Sequence, residues 1–167
     1  MRSFVKKIFF FYAFISSLNG ISQSLLIDPA AEGGFELVGG IAGNGWTVVN
    51  STINQWQSSG VAIPYSGTNS AFISNNGGIN YGYDLNTFQT SHFYRDVTVP
   101  AGNTSINLKF QYKSISEPSF DRLLVYVAST TVVPLADLPA SSTSTLAGAT
   151  LIYEDTANVA NYQVTTI

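Results

Sequence analysis

The chain of 167 residues contains no cysteine and a single histidine, His92. The first absence excludes disulfides, thiolate metal sites and a cysteine nucleophile together, and the second leaves too few imidazoles for a histidine-rich metal site. Charge is scarce as well. Only 10% of the residues are charged, against about 25% in ordinary soluble domains. The net charge is -3, and of the 7 basic residues Arg2, Lys6 and Lys7 sit at the extreme N-terminus. Phosphate binding needs clustered Lys and Arg, so nucleic acid is excluded as a partner. Neither a G-x-S-x-G nucleophile elbow nor an H-E-x-x-H zinc motif occurs. The Gly-rich "SNNGGINYG" has no lysine and no helix after it, so it is a turn and not a phosphate loop.

What the chain does have begins at its N-terminus. "MRSFVKK" is a basic stretch, "IFFFYAFISSL" an apolar run, and "NGIS" a small, turn-prone end. That three-part order is a secretory signal, and the apolar run is shorter than the about 20 residues that span a membrane. The expectation is a signal peptide over residues 1–22, a single domain over residues 23–167, no transmembrane segment after cleavage, and a secreted or cell-surface location. Without cysteine, an extracellular domain must be held by its core or by a bound metal.

Beyond the signal, Gly and Asn clusters recur every eight to twelve residues, with short β-prone runs between them, the pattern of an antiparallel β-sandwich or barrel. In "SINLKFQYK", Ile106, Leu108, Phe110 and Tyr112 fall on one face and Asn107, Lys109, Gln111 and Lys113 on the other, a half-buried strand. "FDRLLVYVA" is apolar on both faces and is expected to be covered on both. Further strands are expected in "GWTVVN", "QWQSSG", "SAFISN", "TLIYED" and "NYQVTTI". Residues 91 to 112 read as a hairpin turning at "PAGN", with Phe93, Val97 and Val99 inward and His92 and Asp96 toward solvent. His92 and Asp96 would be about 13 Å apart at about 3.3 Å per residue, too far for a hydrogen bond. Arg95 falls among the apolar positions. It is either at the sheet margin with its head in water or buried against a carboxylate, with Glu36, Glu117 and Asp121 as the possible partners.

The order "GGFE…GNGWTVVN…NQWQ…NSAFISNNGG…SHFYRDVTVPAGNTSINLKFQYKS…FDRLLVYV" resembles the jelly-roll modules of secreted bacterial surface proteins, of the MAM-like and cleaved-adhesin type. The resemblance runs over about residues 33 to 128 and rests on the order of segments, not on a single triplet. It implies an all-β fold, an antiparallel β-sandwich of jelly-roll type. It also implies a non-catalytic adhesion or binding module of a larger bacterial cell-surface or extracellular protein, with a glycan or an extracellular protein as ligand. A carbohydrate-binding accessory domain of a secreted hydrolase is the alternative, and a structural spacer a third. The modules usually close on a strand with an Asp-Asn pair, whereas this chain ends "NYQVTTI", so a fragment of a larger surface protein is expected. The Ser/Thr run at residues 140 to 150 reads as a polar loop within the domain.

Two sets of site residues follow. The resemblance implies a structural calcium ion near the opening acid, Glu36 of "GGFE", with Asp121 as a second ligand. Trp46, Trp56, Tyr65, Tyr81 and Tyr83 lie in or beside loops, and rings next to amide side chains suit a ligand surface. Trp46 is expected in the core. Tyr81 and Tyr83, within a Gly/Asn loop, are the ligand-binding candidates. Glu32, Glu36, Glu117, Asp121, Glu154 and Asp155 could in principle furnish a glycosidase pair, but no spacing singles one out. The chain is therefore not expected to be an enzyme.

Overall fold

The computed structural model describes residues 24–86, 88–137 and 146–167, so the expected signal peptide and most of the Ser/Thr loop lie outside the described residues. Among the described residues eight strands are present: β1 (Thr47–Val49), β2 (Gln55–Ser59), β3 (Ser70–Ser74), β4 (His92–Tyr94), β5 (Lys109–Ser114), β6 (Leu123–Ala128), β7 (Ala149–Asp155) and β8 (Val159–Thr166). One helical turn, α1 (Gly40–Gly43), precedes β1, and a 3-10 turn spans Gly60–Ala62. All strand pairs are antiparallel, as expected for an all-β chain. Among the described residues no helix is long and apolar enough to cross a membrane.

The pairing is nested. In the first half β1 pairs with β4, Thr47 opposite Tyr94, and β2 with β3, Gln55 opposite Ser74. In the second half β5 pairs with β8, Lys109 opposite Thr166, and β6 with β7, Leu123 opposite Asp155. Each half is thus one long ribbon broken once. At the break of the first ribbon, residues 50–54 face the much longer segment 75–91; at that of the second, residues 115–122 face 156–158.

Two expectations are corrected. Residues 91 to 112 form no hairpin: β4 pairs with β1 and β5 with β8, and the chain between β4 and β5 contains no strand. Val97 and Val99 are exposed there. Pro100 removes a ladder donor, and alternation along a segment never says which partner it will take. The apolar β6 pairs only with β7 among the described residues, and Val127 is 58% exposed, so it is not covered on both faces. In β5 the expected alternation holds for Phe110 and Tyr112, half-buried between exposed Lys109 and Gln111.

The apolar interior is small and aromatic. Phe93 of β4 is its hub, with ring centroids 5.9 Å from Phe35, 5.3 Å from Trp46 and 4.8 Å from Trp56, all edge-to-face. That geometry sets the positive edge of one ring on the negative face of the next. Both indole N–H groups are satisfied, Trp46 by the Glu32 carbonyl and Trp56 by the Ser91 carbonyl, each at 3.0 Å. Phe35 enters the cluster from a left-handed backbone, φ 62°, a costly conformation for so bulky a residue. A second cluster joins the strand pairs of the other half: Tyr153 of β7 lies 5.4 Å from Phe110 and 5.6 Å from Tyr112, both of β5. The hydroxyls of Tyr112 and Tyr153 share a hydrogen bond.

Three asparagines do what strand pairing does elsewhere. A carboxamide offers one acceptor and one donor side by side, the same pair a residue's backbone presents. Asn44 accepts from Leu37 N at 2.9 Å and donates to Leu37 O at 3.0 Å. Asn50 clasps Trp56 in the same way, at 2.7 and 3.2 Å, and Asn54 clasps Asp84 at 2.7 and 3.2 Å. The last two sit at the break of the first ribbon, where Gln89 Oε1 also accepts from Ser51 Oγ at 2.6 Å and from Asn54 N at 2.8 Å. Asn44 is fully buried, and its second N–H reaches Gly40 O at 2.7 Å.

An aspartate cannot donate, and it would bring a charge against those carbonyls. Asn44→Asp should therefore destabilise the fold by about 3–5 kcal/mol in urea titrations. Asn75→Asp, at an exposed position, should stay within about 0.5 kcal/mol. Equal losses in the two variants would contradict the clasp.

Candidate functional site

The two ligand-binding candidates take different roles. Tyr81 is 52% exposed on the segment between β3 and β4, as expected. Tyr83, two residues on, is half-buried and hydrogen-bonded through its hydroxyl to Asp121. Burial first, and then the Asp121 carboxylate, push the Tyr83 hydroxyl up to about 12. Asp121 Oδ2 also accepts from Glu117 N at 2.7 Å. Tyr83 therefore ties the long segment of the first ribbon's break to that of the second. The structure brings together one expected ligand residue and one expected metal ligand, in a contact that is structural.

Glu36 is occupied as well. Its Oε1 accepts from Thr68 N at 2.9 Å and from Asn69 N at 3.1 Å, and its Oε2 accepts from the Thr68 hydroxyl. These donors, the Thr68 hydroxyl foremost, hold its carboxyl below the usual range. Gly67 makes the approach possible: at its φ of 73°, a Cβ would lie 2.2 Å from Glu36 Oε1. Calcium needs six to eight oxygen ligands, whereas N–H and O–H donors surround Glu36. As placed, this carboxylate serves the loop. Among the described residues no group of three or more His, Asp or Glu side chains could hold a metal ion.

Arg95 is paired, and with none of the three expected acids. Its Nη2 lies 3.7 Å from Glu32 Oε1, its Nη1 donates to Asn44 O at 3.0 Å, and its guanidinium stands 6.0 Å from the Trp46 ring centroid. Both side chains of the pair are about a quarter exposed, so the guanidinium sits at the margin and is paired there as well.

His92 departs from its expected place in water. It is half-buried, with Nε2 at 3.2 Å from Leu135 O, and it lines a hollow of about 120 Å³ with Trp56, Arg122 and Tyr126. The reason is that its strand pairs with β1 and carries the ring against the segment after β6, where a hairpin to β5 would have left it outside. Arg122 is bonded to Glu154 at 2.9 Å. A second, larger hollow of about 250 Å³ lies between α1 and β2, lined by Gly40, Val48, Asn50, Trp56, Gln57 and Ser58, among others. Among the described residues no charged side chain lines it.

No protein-family model, curated protein or solved structure matches the chain. Sequence reasoning missed Asn44, Asn50 and Asn54. The asparagines carried a weak signal, since each stands next to or within a turn beside a tryptophan, in "GNGW" and "NSTINQW".

Burial disfavours the imidazolium and lowers the His92 pKa, an effect the Leu135 carbonyl opposes only in part. The neutral form thus contributes stability that is fully present above the unfolded value of about 6.5 and is lost as pH falls through the depressed folded value. Between about pH 7 and pH 5, before the carboxylates titrate, the urea midpoint should fall in the native chain and stay flat in His92→Gln. Parallel curves would contradict this placement.

Proposed function

We propose that the chain is a non-catalytic adhesion or binding module, secreted and carried by a larger bacterial surface protein, with a β-sandwich of jelly-roll type. The nested ribbons support the fold reading, because a jelly roll is built by folding long antiparallel pairs over on themselves. The ring contacts of Tyr153 with Phe110 and Tyr112, which set the β5–β8 pair against β6–β7, support a sandwich.

The observation that carries the function is a set of exposed apolar side chains on the two long break segments. Ile79, Tyr81, Leu85 and Phe88 stand on the first, and Ile115 and Phe120 on the second. Phe88 is 63% exposed and Phe120 73%. Water-facing rings and branched chains gathered on loops mark interaction surfaces. Here the two loops are held in register by the Tyr83–Asp121 bond. A scaffold of ribbons with its apolar rings displayed on tied loops is the layout of a recognition surface.

Beads coated with the purified mature chain should adhere to extracellular-matrix proteins or host cell surfaces. Tyr81→Ser combined with Phe120→Ser should reduce the bound fraction about tenfold, as loss of central aromatic anchors does, with the melting midpoint unchanged. Full adhesion by the double variant, or hydrolysis of a peptide or glycoside by the native chain, would contradict the reading.

A further inference from the structure

Two Asn-Gly pairs stand among the described residues, Asn44-Gly45 and Asn76-Gly77. Such a pair has a reaction of its own, because glycine has no side chain to keep its backbone nitrogen away from the preceding carboxamide. Attack of that nitrogen on the asparagine Cγ needs an N–H that is not held elsewhere, a polarised Oδ1 and an Nδ2 free to leave. The fold withholds these from one pair and supplies them to the other.

At Asn44 every group is engaged. The side chain is buried, Oδ1 accepts from Leu37 N, and Nδ2 donates to Leu37 O and Gly40 O. The Gly45 N–H donates to Ala42 O at 2.9 Å. Asn76 is exposed, and the Gly77 N–H has no partner among the described residues. Gly77 has a φ of 71°, and a Cβ there would meet nothing within 4 Å, so the ring has room to close. Of the Asn76 carboxamide only Oδ1 is held: the Ser74 hydroxyl donates to it at 2.8 Å and Asn80 N at 3.1 Å. These donors stand where negative charge develops when a nucleophile adds to the carboxamide, the arrangement of an oxyanion hole. They also suit the product. Both bonds are donated to the side chain and none by it, and a carboxylate accepts more strongly than a carboxamide.

We propose that Asn76 is a self-modification site, converted in the folded chain to aspartate and isoaspartate through a succinimide formed with Gly77. The Gly77 nitrogen gives its proton to solvent base and bonds to Asn76 Cγ. The Cγ–Nδ2 bond breaks, and Nδ2 takes up a proton and leaves as ammonia. One water then adds to either ring carbonyl and breaks that carbonyl's bond to the ring nitrogen. Opening at Cγ gives aspartate, and opening at the backbone carbonyl gives isoaspartate. Water is the only co-reactant, and nothing is oxidised or reduced. The product places a new carboxylate on the segment between β3 and β4. The inference is independent of what that segment meets and stands even if Tyr81 and Phe120 prove inert.

The test is peptide mapping by mass spectrometry of the folded chain aged in alkaline buffer made with heavy-oxygen water, beside the same chain unfolded in guanidinium. In the folded chain Asn76 should convert at least about tenfold faster than Asn44, since a misplaced attacking group loses that much or more. Each product molecule should carry one heavy oxygen, and the rate should rise with pH, because the Gly77 nitrogen must lose its proton. Unfolding should bring the two sites to comparable rates by releasing Asn44. Asn76→Asp should match or exceed the native melting midpoint, since the loop needs only an acceptor there. Equal conversion of Asn44 and Asn76 in the folded chain, conversion of Asn76 only after unfolding, a product without heavy oxygen, or a lowered midpoint in Asn76→Asp would overturn the proposal.

Discussion

An asparagine side chain that clasps the backbone of one distant residue, accepting from its N–H and donating to its C=O, is the interaction on which the first half of this fold depends. It occurs three times, at Asn44 with Leu37, Asn50 with Trp56 and Asn54 with Asp84. Each clasp lies where the chain leaves regular pairing. Backbone groups there must find partners or pay for desolvation, and carboxamides supply them without charge. A chain in which only 10% of residues are charged is well suited to this device. The clasps fix the turn at residues 50–54, and that turn presents Trp56 at once to the Phe93 cluster and to both hollows.

The aromatic cluster does the rest. Only Ile41, Ala62 and Phe72 are buried apolar residues among those described. Packing therefore rests on half-buried rings meeting edge to face around Phe93. Electrostatics add little: the ion pairs Arg95–Glu32 and Arg122–Glu154 are partly solvated, and exposed pairs contribute about 0–1 kcal/mol. A small interior leaves many apolar side chains outside. On the two long break segments these become the surface proposed to meet a partner, held in place by Tyr83 and Asp121. Stability and recognition thus draw on the same residue types, placed inward in one segment and outward in the next.

Strands were the legible part of the sequence, because alternation is a local signal: "SAFIS", "KFQYK" and "TLIYED" each became a strand. Pairing was not legible. The "VPAGNTS" turn suggested a hairpin between neighbours, yet β4 crosses to β1 and β5 to β8. That error carried His92 to the wrong side, since its face was right for the strand but its surroundings depend on which strand lies beside it. Arg95 was recognised as anomalous, but its acid, Glu32, belongs to a turn whose path no periodicity describes. Glu36 and Tyr83 were singled out for their residue types. What they do is set by Thr68, Asn69 and Asp121, contacts across 32 to 38 residues that a local reading does not reach.

Native-state amide hydrogen exchange tests the clasp most directly. The Leu37 and Asp84 amides lie outside every strand and helix, and their partners are the side chains of Asn44 and Asn54. If the clasps hold the fold, both amides should exchange as slowly as those of the β2–β3 ladder, and Asn54→Ala should release Asp84 to the rate of an open loop. Exchange of Leu37 and Asp84 in the native chain at the rate of an exposed turn amide such as Gly77 would contradict the account.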